Sequence, residues 1–193
     1  KITDYGNTII KPGTGELASG LVGEGRMAEP EEIVAALNKH FDVAQPLKGK
    51  KVVITAGPTY EAIDPVRFIG NHSSGKMGFE IANHAYEMGA NVILVSGPSK
   101  EIAAEGINRI DVISADQMYA STTKEFENAD IAILSAAVAD YRPKNIASEK
   151  IKKVSADKTI ELEATPDILS SLGKVKKDNQ ILVGFALETE NEE

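Results

Sequence analysis

The sequence predicts an α/β protein with an open, mainly parallel sheet and helices on both faces. Three observations point there. Lys51–Thr55 (KVVIT), Asn91–Val95 (NVILV) and Ile131–Leu134 (IAIL) are short, nearly continuous apolar runs, as expected of strands covered on both faces. Segments with apolar residues every three or four positions, the spacing of a helix, lie between them. Turn-forming residues close the first two runs, and buried strands alternating with helices build parallel sheets.

Residues 1–30 are rich in glycine and turn formers, with one short apolar stretch at Ile9–Ile10. Pro30 suits the first position of a helix, and Glu31 and Glu32 suit its positive end. Ile33, Val34, Leu37 and Phe41 give that helix an apolar stripe. Residues 42–49 (DVAQPLKG) read as a linker, leaving an appendage over 1–41 and a main domain over 50–193.

In the main domain, KVVIT runs into a turn at Ala56-Gly57-Pro58-Thr59 and then an irregular stretch. Met77, Ile81, Ala85 and Met88 predict a helix over 75–88, with Gly89 as its C′ residue. NVILV closes on Ser96-Gly97-Pro98, and Arg109–Ile113 alternates like a strand. Asp116 is the expected cap of a helix running to about Asn128. Thr159–Leu162 reads as a strand, Thr165 as the cap of a helix with Pro166 at its first position, and Ile181–Phe185 as a further buried strand. This is a Rossmann-like order. Ligands of such sheets sit where loops leave the carboxyl ends of strands, near a topological switch point. The loops after Thr55, after Leu134 and near Phe185 are therefore the ones to inspect.

Bulk properties narrow the field. A net charge of −8 argues against a nucleic-acid or acidic-membrane surface, since both need clustered positive charge. With no Cys there is no disulfide, thiolate metal site or Cys nucleophile, which suits a reducing cytosol. No apolar run approaches the roughly 20 residues that span a bilayer, and the opening lacks the apolar core of a signal peptide. A cytoplasmic location is expected, and both ends read as cut from a longer chain.

Three constellations carry chemistry. In the first, Gly57-Pro58-Thr59, Asp64-Pro65-Val66-Arg67 and Asn71-His72-Ser73-Ser74-Gly75-Lys76-Met77-Gly78 lead from a buried strand to a helix start. Backbone N–H groups and serine hydroxyls there suit an anion. The same residues serve equally as helix cap and packing glycines. The spacing is neither G-x-G-x-x-G nor a P-loop. In the second, Ser135-Ala136-Ala137-Val138-Ala139-Asp140 follows a strand, and its small residues leave room for a flat ligand. Asp140 can accept hydrogen bonds or help hold a metal ion. The third, Glu149-Lys150-Ile151-Lys152-Lys153, is either a solvated basic face or a phosphate-binding flap. His40, His72 and His84 have no metal-ligand spacing.

In order and spacing, these segments resemble phosphopantothenate–cysteine ligase. Thr165-Pro166-Asp167-Ile168-Leu169 and Val183-Gly184-Phe185-Ala186-Leu187-Glu188-Thr189 extend the likeness from about residue 50 to the end. Residues 1–41 resemble the tail of the flavin-dependent phosphopantothenoylcysteine decarboxylase. Ser19, Gly25, Arg26 and Met27 fall in its substrate clamp, with Ser19 where that family usually has a proton-donating Cys. A hydroxyl is a far weaker acid than a thiol, and the FMN-binding body is not among these residues. Decarboxylation by this chain alone is not expected.

The resemblance implies joining cysteine to 4′-phosphopantothenate with CTP and Mg²⁺, through an acyl-cytidylate, in coenzyme A biosynthesis. It implies a nucleotide site of Gly57, Ser73, Gly75, Gly78, Leu134, Ser135, Ala136, Asp140, Lys150, Pro166, Asp167, Ile168, Leu169 and Phe185. Asn71, Ala136, Ala137 and Asp140 would hold phosphopantothenate, with Arg67 reaching in from the partner of a homodimer. A full-length bifunctional parent would form a higher oligomer. Asn71 would act on the acyl-cytidylate, Lys150 on developing charge, and Asp140 on the nucleotide's metal ion. The competing readings are an NAD-dependent oxidoreductase on a similar sheet and a non-catalytic nucleotide-binding module.

Overall fold

Glycine, rather than apolar patterning, shapes the first of the two units into which the chain divides, residues 1–44 and 45–193. The computed structural model describes residues 2–16, 22–40, 45–153 and 159–187. In the first unit β1 (Gly13–Glu16) pairs antiparallel with β2 (Val22–Arg26), with an irregularity between Gly13 and Thr14. The sequence reading expected only polar loops here. A ribbon with so many glycines lacks the alternation that marks a half-buried strand. Helix α1 (Pro30–His40) begins at the proline, with Glu31 and Glu32 in its first turn.

The second unit is built around β3 (Lys51–Ala56). A hairpin of β4 (Tyr60–Ala62) and β5 (Phe68–Gly70) follows, then α2 (Lys76–Glu87), β6 (Asn91–Ser96) and β7 (Asn108–Asp111). The chain continues through α3 (Ala115–Phe126), β8 (Ile131–Leu134), β9 (Tyr141–Pro143), β10 (Leu162–Ala164), α4 (Ile168–Val175) and β11 (Ile181–Gly184). Five strands form one sheet in the order β11-β8-β3-β6-β7, and every pairing in it is parallel.

Alternate residues of β3 feed two cores, as the two-residue repeat of a strand requires. Val52, Ile54 and Ala56 join Val92 and Leu94 beneath Phe79, Ala82 and Ala85 of α2. Val53 joins Ile93, Val95 and Ala132 against Met118 and Phe126 of α3 and Ile168 and Leu172 of α4. The expected arrangement, an open parallel sheet with helices on both faces, is what the chain adopts. Among the described residues no helix is long and apolar enough to cross a membrane.

Several boundaries differ from the sequence reading. Ser114, not Asp116, caps α3, through a reciprocal capping box with Gln117. Asp167, not Thr165, caps α4 by accepting from the Ser170 amide at 2.8 Å, so Pro166 precedes the helix instead of opening it. The strand expected at 159–162 forms later, as β10 over Leu162–Ala164, and pairs antiparallel with β9 outside the central sheet. The irregular stretch after β3 contains the β4–β5 hairpin, whose three-residue strands are too short for periodicity to register. Residues 45–50 sit against the end of α2: the Leu47 amide donates to the Met88 carbonyl at 3.1 Å and Leu47 packs on the core.

Candidate functional site: a crevice at the sheet switch point

The strand order places the site. From β3 the sheet grows outward through β6 to β7, then the chain returns to the other side of β3 with β8 and β11. Loops leaving β3 and β8 therefore diverge at their carboxyl ends, the position where a crevice forms in such sheets.

Buried hydroxyls hold the two loops together. Thr55, 1% exposed, accepts at its carbonyl from the Ser135 hydroxyl at 2.6 Å and at its own hydroxyl from the Ala136 amide at 3.2 Å. The Ala137 amide donates to Gly57 at 2.9 Å, and Pro58 and Ala137 form a parallel bridge. Thr59, fully buried, accepts from the Ala139 amide at 2.9 Å. Beyond the sheet proper, the two loops thus continue side by side as far as Ala139.

The same ladder recruits later segments. The Thr165 hydroxyl donates to Ala139 at 2.6 Å and its amide donates to Asp140 at 2.9 Å, setting Pro166, Asp167, Ile168 and Leu169 beside the β8 loop. The Phe185 amide donates to Leu134 at 3.1 Å, while the Phe185 ring is 55% exposed. Asp140 is exposed.

Helix α2 starts at this same end of the sheet, against Ala56, Gly57 and Ser135. Gly75, at φ +83°, turns the chain into the helix. The Ser73 and Ser74 hydroxyls each accept at 3.2 Å, from the amides of Gly75 and Lys76. Met77 and Gly78 lie in the first turn, where an amide has no carbonyl within the helix to bond. A Cβ on Gly78 would lie 2.6 Å from Ala56 Cβ and 2.7 Å from Ser135 Oγ, so the helix start is pressed onto the strand ends. Amides and dipole together suit an anion at this point.

The β4–β5 hairpin brings in the remaining residues. Asn71, just past it, donates through Nδ2 to Val138 at 2.9 Å and Ala137 at 3.5 Å. Asp64, in the hairpin turn and 2% exposed, accepts from the amides of Val66, Arg67 and Ile151 at 2.8, 2.9 and 3.1 Å. Arg67 donates through Nε to the same carboxylate at 3.0 Å and through its terminal nitrogen to the Ile151 carbonyl at 2.8 Å. The Arg67 guanidinium is the main reason the Asp64 carboxyl is held far below the usual carboxylate range. Backbone donors add to it against the opposing effect of burial. The consequence is that Lys150, exposed itself, leads straight into a residue fixed to the hairpin that carries Asn71.

The structure therefore joins Gly57, Asn71, Ser73, Gly75, Gly78, Ser135, Ala136, Ala137, Asp140, Thr165 and Phe185 through one run of loops. Arg67, implied to serve a partner subunit, is held by Asp64 of its own chain. Ser19 lies outside the described residues. Gly25, Arg26 and Met27 belong to the first unit, where Arg26 pairs with Glu29 at 3.0 Å and Met27 is 76% exposed. Two hollows of about 160 and 380 Å³ lie at the opposite, amino end of β8 and β11, lined by Glu127, Asn128, Lys177 and Gln180. They hold none of the expected site residues, which gather instead at the carboxyl ends of β3 and β8 beside the start of α2. Thr59 and Asp64 fall within the first sequence constellation but without individual roles, and Thr55 lies outside all three. The threonine ending an otherwise apolar strand was the available signal for Thr55.

Residues 47–193 match the family described as DNA/pantothenate metabolism flavoprotein C-terminal domain. The chain belongs to that family. A relative from an unknown prokaryotic organism, named cysteine/cysteine sulfinic acid decarboxylase, is 54% identical over 192 residues, covering 97% of this chain and 54% of the relative. The coenzyme A biosynthesis bifunctional protein CoaBC of Haemophilus influenzae is 49% identical over 186 residues, covering 96% of this chain and 46% of its own length. The chain thus spans about half the length of the curated relatives it matches. Among solved structures, the C-terminal domain of a CoaBC protein superposes with a TM-score of 0.66 at 49% identity, over 75% of this chain and 68% of that one. A Cab2 mutant in complex with phosphopantothenate-cysteine is 20% identical, with a TM-score of 0.62 over 83% of this chain and 71% of its own, and shares the fold.

Proposed function

We propose that the crevice is the ligase site that joins cysteine to 4′-phosphopantothenate at the expense of CTP. The observation that carries this reading is the linkage of three parts. The glycine and serine start of α2, the small-residue loop after β8, and the root of the Lys150 flap on Asp64 are tied into one hydrogen-bonded unit. Membership of the pantothenate family and relatives named for coenzyme A biosynthesis support the same chemistry.

The reaction runs in two displacements. A phosphopantothenate carboxylate oxygen attacks the α-phosphorus of CTP; the P–O bond to pyrophosphate breaks, leaving an acyl-cytidylate. The cysteine amine then attacks the acyl carbon, CMP leaves with the C–O bonding pair, and the amine proton passes to solvent. The protein positions reactants and stabilises charge. Gly57, Ser73, Gly75 and Gly78 receive the phosphates on backbone and hydroxyl donors. Leu134 to Ala136, Pro166 to Leu169 and Phe185 wall the nucleoside. Asn71, Ala137 and Asp140 face phosphopantothenate, and Lys150 meets the charge that develops on the phosphates.

Among the described residues no three His, Cys, Asp or Glu side chains gather into a metal site. Asp140 is the one carboxylate on the β8 loop, which fits a Mg²⁺ that arrives with the triphosphate and takes most of its ligands from phosphate and water. Bound there, it would neutralise triphosphate charge. A homodimer, in a cytoplasmic protein, belongs to the same reading.

Product formation by the full-length protein with CTP and with ATP tests the proposal: amide product with CTP is expected, and none with either nucleotide rejects it. The relative named as a decarboxylase supplies a second reading. Carbon dioxide release from cysteine, with no amide product, would select that one.

A further inference from the structure

We infer that Ser99 is a positioning residue for the nucleotide loop, an inference that rests on the ligase reading of the crevice. Ser99 lies on neither the β3 loop nor the β8 loop. It comes from the loop after β6, to which the reading assigns no role.

That loop is wedged under the site. The Gly97 amide donates to Ala56 at 2.9 Å, and a Cβ on Gly97 would lie 1.7 Å from the Pro58 carbonyl oxygen. Two residues on, the Ser99 hydroxyl donates to the Ser74 carbonyl at 2.5 Å and accepts from the Glu101 amide at 3.1 Å. Ser99 Oγ also stands 3.1 Å from where a Cβ on Gly75 would be, with the Gly57 amide nitrogen 3.1 Å away on the same site. The serine thus sits where the glycine turn before α2 meets the glycine turn after β3.

The consequence follows from peptide geometry. The Ser74 carbonyl and the Gly75 amide belong to one planar unit, so fixing the carbonyl fixes the direction of the N–H. That N–H in turn donates to the Ser73 hydroxyl. Through one bond, Ser99 sets the aim of the Gly75 N–H and, through that N–H, the position of the Ser73 hydroxyl assigned to the nucleotide. Its two hydrogen bonds run to Ser74 and Glu101, and neither reaches Asn71 or Ala137, where phosphopantothenate is placed.

The test compares Ser99→Ala and Ser99→Thr with wild type in the full-length protein. In Ser99→Ala the KM for CTP rises about 3- to 10-fold, the range expected for losing one neutral hydrogen bond. The KM values for phosphopantothenate and cysteine stay within twofold, and Ser99→Thr, which keeps the hydroxyl, restores the CTP value. Amide exchange at Gly75 and Lys76 in the ligand-free protein speeds up in Ser99→Ala alone. An unchanged KM for CTP, or an equal rise in all three KM values with a lowered melting temperature, overturns the inference. If wild type makes no amide with CTP, the ligase reading fails by itself; exchange then decides, and unchanged exchange overturns the role of Ser99.

Discussion

Asn71 Nδ2 and the Val138 carbonyl oxygen lie 2.9 Å apart, so one amide side chain clips the end of the β4–β5 hairpin to the loop after β8. A residue assigned to the acyl-cytidylate is thereby also a structural tie. Its two duties make different demands: the tie needs a donor, and an interaction with the intermediate needs correct placement.

Asn71→Asp removes the donor and sets a carboxylate against the Val138 and Ala137 carbonyls. Stability should fall by about 1 kcal/mol, the usual worth of such a bond at a partly solvated position. Pyrophosphate release from CTP and phosphopantothenate should persist while amide formation drops. Melting curves and the two product assays check both halves, and unchanged amide formation would reject the proposed role.

Lys150→Ala should lower the rate of pyrophosphate release about 100-fold, as expected when a donor aimed at developing charge is lost. Lys152→Ala and Lys153→Ala serve as comparisons, because the resemblance implies a nucleotide role for Lys150 and not for its two followers. Single-turnover rates would separate them. Equal effects at all three lysines would favour a diffuse basic face over a directed one.

Acid should loosen the flap through Asp64. Its folded carboxyl is held below the ordinary value, so ionisation favours the fold. That contribution is complete above about pH 4, the unfolded carboxyl range, and is lost as pH falls toward the depressed folded value. Denaturation midpoints taken from pH 6 down to pH 2 should fall, and the fall should be shallower in Asp64→Asn. Ile151 amide exchange in Asp64→Asn should rise at neutral pH.

Two glycines in helices should respond in opposite directions. Gly78→Ala puts a methyl 2.6 Å from Ala56 Cβ and should cost about 1–3 kcal/mol from overpacking. Gly173, inside α4 with nothing within 4 Å of its missing Cβ, should gain about 0.5–1 kcal/mol as alanine. Urea titrations of both variants measure the contrast.

The centre of the sheet was legible because β3 and β6 bury both faces: KVVIT and NVILV, with IAIL beside them, had to be apolar throughout, and the helices between them show the spacing of one buried stripe; β11, expected as a further buried strand, is instead mostly exposed. Pro30 and Gly89 marked helix ends for local steric reasons that hold whatever the surroundings. The cap of α3 was misplaced by two residues because Ser114 and Asp116 are both good acceptors, and only the reciprocal bond with Gln117 decides between them. The glycine and serine loops and their meeting at the carboxyl ends of the strands follow from the sequence, but the bonds that join them do not. The pairing of Ala137 with Gly57, of Ile151 with Asp64, and of Ser99 with Ser74 each spans tens of residues, and no local pattern encodes such a distance.

The nesting of Gly97 under Pro58 limits where this architecture can be retuned. A side chain at 97 would have to displace backbone, not another side chain, so the floor of the crevice admits almost no variation. Under the proposed reading, freedom to alter which base or which acid fits resides in the outer walls, at Leu169 and Phe185, whose side chains are about half exposed. Libraries aimed at new substrates belong there, with the inner glycines left as they are.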